Sequence, residues 1–307
     1  MANPLDSAAF VRLLVNDLRE VSENAYNELP SMIPTIYRML DSDSAWEEFY
    51  NVGDVPDIPE FNGKITYLAR YPGYHTKIEP KEFAGGLQWE RKFLDNKKYN
   101  VMRNESAGLM QAAHRVREKY GVGTFTGAFS SAFTFMESEE GVSLCSTAHL
   151  TKSGTSTSSG FSNSGTTAFS KTGVAATRIL MRKFRSDISE RIDISDNLAL
   201  IVPDYLADDA YELTKTPSGM DVAHDNVNMA YKRYEVIPYM RLDDSSTTNW
   251  FMVDKARMKQ DLIWIDRIAP EPKTSIDFET YITKQAVYMN IGYGFKNWRW
   301  IYGQNVS

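Results

Sequence analysis

Residues Ser143–Leu150 read SLCSTAHL and contain the only cysteine of the chain, Cys145, and one of its four histidines, His149. A thiol beside an imidazole can serve as nucleophile and base, or as half of a zinc site. The spacing argues against both. The segment is predicted as a strand, with Val142, Leu144, Ser146 and Ala148 on one face and Cys145, Thr147 and His149 on the other. Residues four apart on a strand lie roughly 13 Å apart at 3.3 Å per residue, beyond hydrogen-bond reach. A zinc site needs more ligands, and no second cysteine exists. Cys145 is expected as a packed cysteine beside a loop.

The remaining candidates are weaker. The acid clusters at residues 137–141 (ESEEG), 208–209 and 243–244 hold the carboxylate pairs that acid–base chemistry uses, but beside turns they read as solvated charge. His114, next to Ala113 in a helical stretch, reads as a solvated or capping histidine. Gly121–Gly127 (GVGTFTG) is one residue too long for a dinucleotide fingerprint and follows a helix where a strand is required. A helix C-cap and turn explain its glycines. Arg178, Arg182, Lys183, Arg185 and Arg191 lie on an amphipathic helix with Asp187 and Glu190, as a solvated or intersubunit face would. No nucleophile elbow, phosphate loop, HExxH or calcium loop occurs. No catalytic, cofactor-binding or metal-ligating residues are assigned.

Composition agrees with a structural role. In 307 residues, 42% are apolar, 12% aromatic and 24% charged, enough for a sizeable core and too apolar for wholesale disorder. A net charge of −6 opposes tight nucleic-acid binding. One cysteine cannot form an internal disulfide and suits a reducing compartment. The start, MANPLDSAAF, lacks the basic and apolar regions of a signal peptide, and no apolar run is long enough for a membrane span. A soluble, cytosolic product is expected.

The elements around these residues are legible in part. Residues 6–29 are predicted as an amphipathic helix with Phe10, Leu14, Leu18, Val21, Ala25 and Leu29 on one face, capped by Asp6 or Ser7 and ended by Pro30 and Pro34. A short helix is expected over Ile36–Leu40. Residues 51–63 are turn-rich. Lys64–Tyr71 and a second extended stretch around Gly86–Leu94 are predicted to form a long hairpin, which needs a partner surface because a lone hairpin is marginal in water. Residues 97–120 give the strongest signal. Tyr99, Met102, Ser106, Leu109, Ala113, Val116 and Tyr120 form one stripe along roughly 35 Å of helix, suited to packing on a sheet. Residues 151–167, with five Thr, six Ser and three Gly, read as a mobile loop. Ser170 caps a helix with Val174, Met181, Phe184 and Ile188 inward. Leu198–Val202 is a buried strand, and Pro203 opens the next helix. Strands follow at Tyr234–Leu242, Asn249–Asp254 and Asp261–Asp266. Pro270 and Pro272 mark a break before a long strand over 277–294. The class is α+β.

The order of these phrases resembles the major capsid proteins of tailed bacteriophages, which share the Hong Kong 97 fold. The resemblance spans nearly the whole chain. It rests on the N-terminal helix, on FNGKITYLARYPGYHTKIEPKEFAGGLQWERKFLDN, on the helix Lys97–Tyr120, on GTFTGAFSSAF with EEGVSLCSTAHLTKSG, on NLALIVPDYLADDAYELTKT, on YEVIPYMRLDD with NWFMVDKARMKQDLIWIDRIAPEP, and on GFKNWRWIYG. It implies an N-terminal arm (1–52) reaching a neighbour, an extended E-loop (53–96) lying over a neighbour, a peripheral domain (97–165 and 248–307) built on the long helix, and an axial domain (166–247) at the capsomer centre. It implies hexamers and pentamers in an icosahedral shell around double-stranded DNA, with non-specific DNA contact, assembled in the host bacterial cytoplasm into a virion. A portal, a separate scaffolding protein and a decoration protein are the implied partners, with no membrane and no cofactor. Only about 50 residues precede the E-loop, so a separate scaffold, or a chain already in its mature form, is expected. Lys64, Lys77 and Lys81 lie where some relatives crosslink, and none is singled out, so no crosslink is expected. Two other readings remain: an encapsulin-like nanocompartment shell, distinguished by protein cargo, and a cytosolic hydrolase using Cys145, distinguished by thiol reactivity near neutral pH.

Overall fold

The computed structural model describes residues 7–217, 228–277 and 279–306. In chain order the elements are α1 (Ser7–Asn27), α2 (Ile33–Ile36), β1 (Arg38–Asp41), β2 (Glu47–Val52), β3 (Pro72–Ile78), β4 (Lys81–Trp89), α3 (Arg91–Asp95), α4 (Tyr99–Gly121), α5 (Gly123–Thr126), β5 (Met136–Ser138), β6 (Ser164–Gly165), α6 (Lys171–Met181), β7 (Leu198–Val202), α7 (Ala207–Lys215), β8 (Glu235–Pro238), β9 (Trp250–Asp254), α8 (Lys255–Asp261), β10 (Leu262–Ile276), β11 (Thr283–Phe295) and β12 (Ile301–Gln304). The class is α+β, as expected.

The first sheet has the order β1-β10-β11-β4 and is dominated by the β10–β11 hairpin. Alternation along β11 buries Gln285, Val287 and Met289 and turns Lys284 and Ala286 outward. Helix α4 packs Met110 and Ala113 against Val287 and Met289. Its buried stripe starts on the predicted Met102 and Ser106, then shifts to Met110 and Arg117 in place of Leu109 and Val116. Steps of three and four average 3.5 residues, and a straight helix of 3.6 drifts off that row. Arg117 reaches Asp266 on β10 with two contacts, of 2.8 and 2.9 Å. Helix α1 lies on α4 of its own chain. Leu18 packs with Trp89 and Met102, the Ser22 and Ser106 hydroxyls meet at 2.7 Å, and Arg103 grips Asp17 with two 2.7 Å bonds. The described part of the expected arm thus docks at home; the Asp6 cap and the Phe10 and Leu14 side chains lie outside the described residues.

The second sheet has the order β6-β12-β9-β7-β8. Strands β7, β9 and β12 are buried along their whole length, so both faces are covered. Trp250, Met252, Tyr302 and Gln304 share the face under α6, where Gln304 Nε2 donates to Thr177 Oγ1 at 2.8 Å. Phe251, on the opposite face, meets the rings of Phe125 and Phe129. Ser170 caps α6 by accepting from the Gly173 N–H at 3.0 Å, as its sequence predicts. Trp250–Asp254 and Ile301–Gln304, which the resemblance groups with the peripheral segment, pair here beside β7. A third sheet, β2-β3-β5, stands at the side.

Several expectations are corrected. Residues 36–40 are not a helix: α2 ends at Ile36, with Pro34 inside its first turn, and Arg38–Asp41 is a strand beside β10. Lys64–Tyr71 is not a strand, and β4 does not pair with β3. The hairpin arms are β2 and β3, while β4 pairs with β11 because Phe83, Leu87 and Trp89 give it an apolar face for the helices. Pro270 and Pro272 do not end β10, which passes them with local shifts of register on an edge that needs no donor there. Gly121 ends α4 and Gly123 opens α5, so the glycine phrase is helical. A Cβ at Gly123 would collide with the Tyr293 hydroxyl.

Candidate assembly surfaces

The SLCSTAHL segment is irregular and not a strand. Its backbone is tied sideways: Cys145 N–H donates to Ala128 O at 2.7 Å and His149 N–H to Phe161 O at 3.0 Å. Cys145 is 3% exposed, and burial pushes its thiol far above the ordinary range, the opposite of an activated nucleophile. His149 is fully occupied elsewhere. Its Nδ1 lies 2.9 Å from Glu140 Oε1, its Nε2 lies 3.0 Å from Asn163 Oδ1, and its ring stacks on Trp298 at 4.1 Å. The geometry offers no thiol–imidazole pair. His114 is neither solvated nor a cap: it is half-buried, edge-on to Tyr26 at 5.7 Å, and desolvation lowers its pKa.

A concavity of about 540 Å³ is lined by Tyr120, Phe133, Phe135, Tyr293 and Phe295, with Lys119, Arg241 and Asp244 also on its wall. It carries neither histidine nor cysteine. Among the described residues no three metal-ligating side chains gather, and no helix is long and apolar enough to cross a membrane.

The surface that stands out is the excursion between β2 and β3. Gly53 N–H donates to Tyr71 O at 2.9 Å and closes its neck. From Asp54 to Tyr71 no residue is buried. Yet Val55, Ile58, Phe61, Ile65, Tyr67 and Tyr71 are all exposed, Ile58 at 88% and Tyr67 at 91%. So many open apolar side chains on one loop mark an interaction surface. The hairpin that carries them is firmly rooted. Glu139, beyond β5, accepts from the His75 backbone N–H at 3.0 Å, lies 2.8 Å from His75 Nδ1 and pairs with Lys152. These contacts hold its carboxyl down at about 2. Tyr50 stacks on the His75 ring. Of the three lysines considered above, Lys77 leans over Trp46 and Lys81 over Phe135, while Lys64 stands exposed on the excursion.

A second exposed set sits at the ends of the second sheet, where Tyr205, Met229 and Met240 project. Sequence periodicity missed it, because single apolar residues in turns have no period. The basic cluster mostly serves local structure: Arg182 pairs with Asp196, Arg185 donates to Ser189 O and Arg191 to Arg182 O.

Residues 74–303, from β3 to β12, match the family model described as phage capsid protein. The chain belongs to that family. This phage capsid protein has the Hong Kong 97-type fold expected from the resemblance, and solved structures from several phages align with it at very low identity. A structure of Mycobacterium phage Patience aligns with a TM-score of 0.57 at 7% identity, covering 100% of this chain and 90% of that one. The mature capsid of bacteriophage PhiM1 aligns at 0.56 with 9% identity, over 91% and 88%. The procapsid of bacteriophage JBD30 aligns at 0.52 with 12% identity, over 98% and 77%. No curated relative matches in sequence. The capsid chain is thus a structural shell protein of a virion, assembling with copies of itself. The family match begins at Tyr74, so the whole excursion and all of α1 lie before it.

Proposed function

We propose that this capsid protein is the major head protein of a tailed phage. It assembles as hexamers and pentamers into an icosahedral shell around double-stranded DNA, in the host bacterial cytoplasm, beside a portal and a separate scaffold. A decoration protein is an optional outer partner. In this reading residues 54–71 are the tip of the E-loop and lie over a neighbouring copy. The axial domain includes β9 and β12 as well as 166–247, and the peripheral domain is α4 with the first sheet. The observation that carries the reading is the excursion itself: six exposed apolar side chains on a stretch with no buried residue. A chain that leaves so much apolar surface in water gains by covering it, and obligate assemblies bury on the order of 2,000 Å² or more per interface. The acidic balance fits DNA that is enclosed rather than gripped.

The test is electron microscopy with sizing chromatography of the protein expressed with its genomic neighbours. Closed shells, or rings of five and six, with nuclease-protected DNA are expected. A monomer under every condition overturns the shell, and shells filled with protein instead of DNA overturn the cargo.

A further inference from the structure

The axial sheet has two ends of opposite charge. Strands β7 and β8 are parallel, so the residues that follow them share one end and the residues that precede them share the other. Asp204, Asp208 and Asp209 follow β7, and Asp243 and Asp244 follow β8. The two turns are joined by the Tyr205 N–H, which donates to Asp243 Oδ1 at 3.4 Å. Tyr205 and Met240 project from this acidic end, 73% and 68% exposed. At the other end the turn before β8 closes on the C-terminus of α7: Lys232 N–H donates to Thr214 O at 2.8 Å, and Asn228 Nδ2 to Leu213 O at 2.6 Å. Helix α6 lies against the same turn around a hollow of about 100 Å³ lined by Lys171, Arg178, Met229, Arg233 and Tyr234. Met229 is 76% exposed, and none of these cations, nor Lys232, pairs with a carboxylate among the described residues. Among the described residues the first end carries five carboxylates against Arg241, and the second carries Lys171, Arg178, Lys232 and Arg233 against Glu212 on the last turn of α7. The two ends therefore differ in net sign around exposed apolar side chains, the composition of an interface centre with a polar rim.

We infer that the acidic end of one copy docks on the basic end of the next, with Tyr205 and Met240 seated against Met229 and the hollow under Arg178 and Arg233. The inference rests on the shell reading and names its axial contact. Two different, complementary ends make a head-to-tail contact, and such contacts close into rings when the rotation allows. Opposite charge fixes which end meets which, and like ends repel.

Two full-length variants test this: Asp208→Lys with Asp209→Lys, and Lys232→Glu with Arg233→Glu. All four side chains are exposed, and unchanged circular dichroism and melting of the monomer check the fold. Each variant alone is expected to raise the concentration threshold for rings or shells by about tenfold or more. Mixed together, the two are expected to assemble again, and only into even-membered rings, because alternation cannot close a five-fold. Wild-type assembly should also weaken between about 0.05 and about 0.5 M salt, a readout that needs no variant. Variants that assemble like wild type, a mixture that stays unassembled, or a salt-independent threshold each overturn the end-to-end contact while leaving the shell reading intact. A wild type that never associates overturns both.

Discussion

Residues 151–165 and residues 54–71 both depart from the usual link between polarity and burial, in opposite directions. The first stretch is almost all Ser, Thr and Gly, yet Phe161 and Asn163 are buried and Ser164–Gly165 pairs with β12. The second carries seven large apolar side chains, six of them exposed, and buries none. The polar stretch satisfies itself. Thr151, Ser153 and Thr155 hydroxyls all donate to Asp187 O. Asn163 accepts from Ser146 N–H at 2.8 Å, donates to Leu144 O at 2.8 Å and reaches Ile301 O at 3.3 Å. A buried amide with its hydrogen bonds made is inexpensive, whereas one deprived of them is not. The apolar stretch has no such internal solution, and in the reading proposed above its counterpart comes from another copy. One region completes the subunit, and the other leaves its apolar side chains uncovered in it.

Removing the hub should break this contrast most strongly. Asn163→Leu strips partners from Ser146 N–H, Leu144 O and His149 at once, inside the core. A loss of about 3–5 kcal/mol in urea unfolding of the dissociated chain is expected. A loss below about 1 kcal/mol would mean that the polar stretch is held by something other than Asn163. His149→Phe is the gentler version. It keeps a ring on Trp298 but leaves Glu140 with only the Leu150 N–H, so about 1–3 kcal/mol is expected in the same assay.

Glu139 joins the two regions, holding His75 at the root of the excursion and Lys152 in the polar stretch. Its carboxyl is depressed from 4.5 to about 2, first by Lys152 and then by the His75 backbone N–H. A depressed carboxylate adds stability above its unfolded value and loses it as pH falls through the folded one. Glu139→Gln should therefore melt below wild type at neutral pH, and the gap should hold down to about pH 5 and close by about pH 2. A gap independent of pH would assign the effect to packing rather than charge.

What was legible in the sequence follows the range of the forces involved. Helix α4, the Ser170 cap and the run Leu198–Val202 declare themselves within a few residues, through periodicity, capping and continuous apolarity. Strand partners do not. By sequence β4 suits the return arm of the excursion, but its Phe83, Leu87 and Trp89 pack on helices, Leu18 of α1 among them, that lie far off in the chain. The composition of 151–167 promised mobility because it averages over Phe161 and Asn163, the two residues that decide its place. The alternation puts Cys145 on a strand that does not form, and it is burial rather than spacing that packs the thiol and raises its pKa. The need for a partner surface is legible because a lone hairpin is marginal in water, although the arms are β2 and β3 rather than the stretches the sequence suggests. The charged ends of the second sheet are not, since the residues after β7 and those after β8 share one end only because the two strands run parallel.

The smallest effect is the most informative about the excursion. Ile58→Ser with Tyr67→Ser removes the two most exposed apolar side chains on it, and neither touches the core. Surface changes of this kind move stability by no more than about 0.5 kcal/mol. The isolated chain should therefore unfold like wild type in urea. Assembly should behave differently, because burying the same side chains against a neighbour is worth about 1.5–3 kcal/mol each when fully covered, and the threshold concentration should rise steeply. Paired measurements on the dissociated chain and on the particle separate the two regions cleanly. Asn163→Leu weakens both states, whereas the excursion variant weakens only the assembled one. If the double serine variant instead destabilises the isolated chain, the excursion folds back on its own subunit in solution, and its partner is internal rather than a second copy.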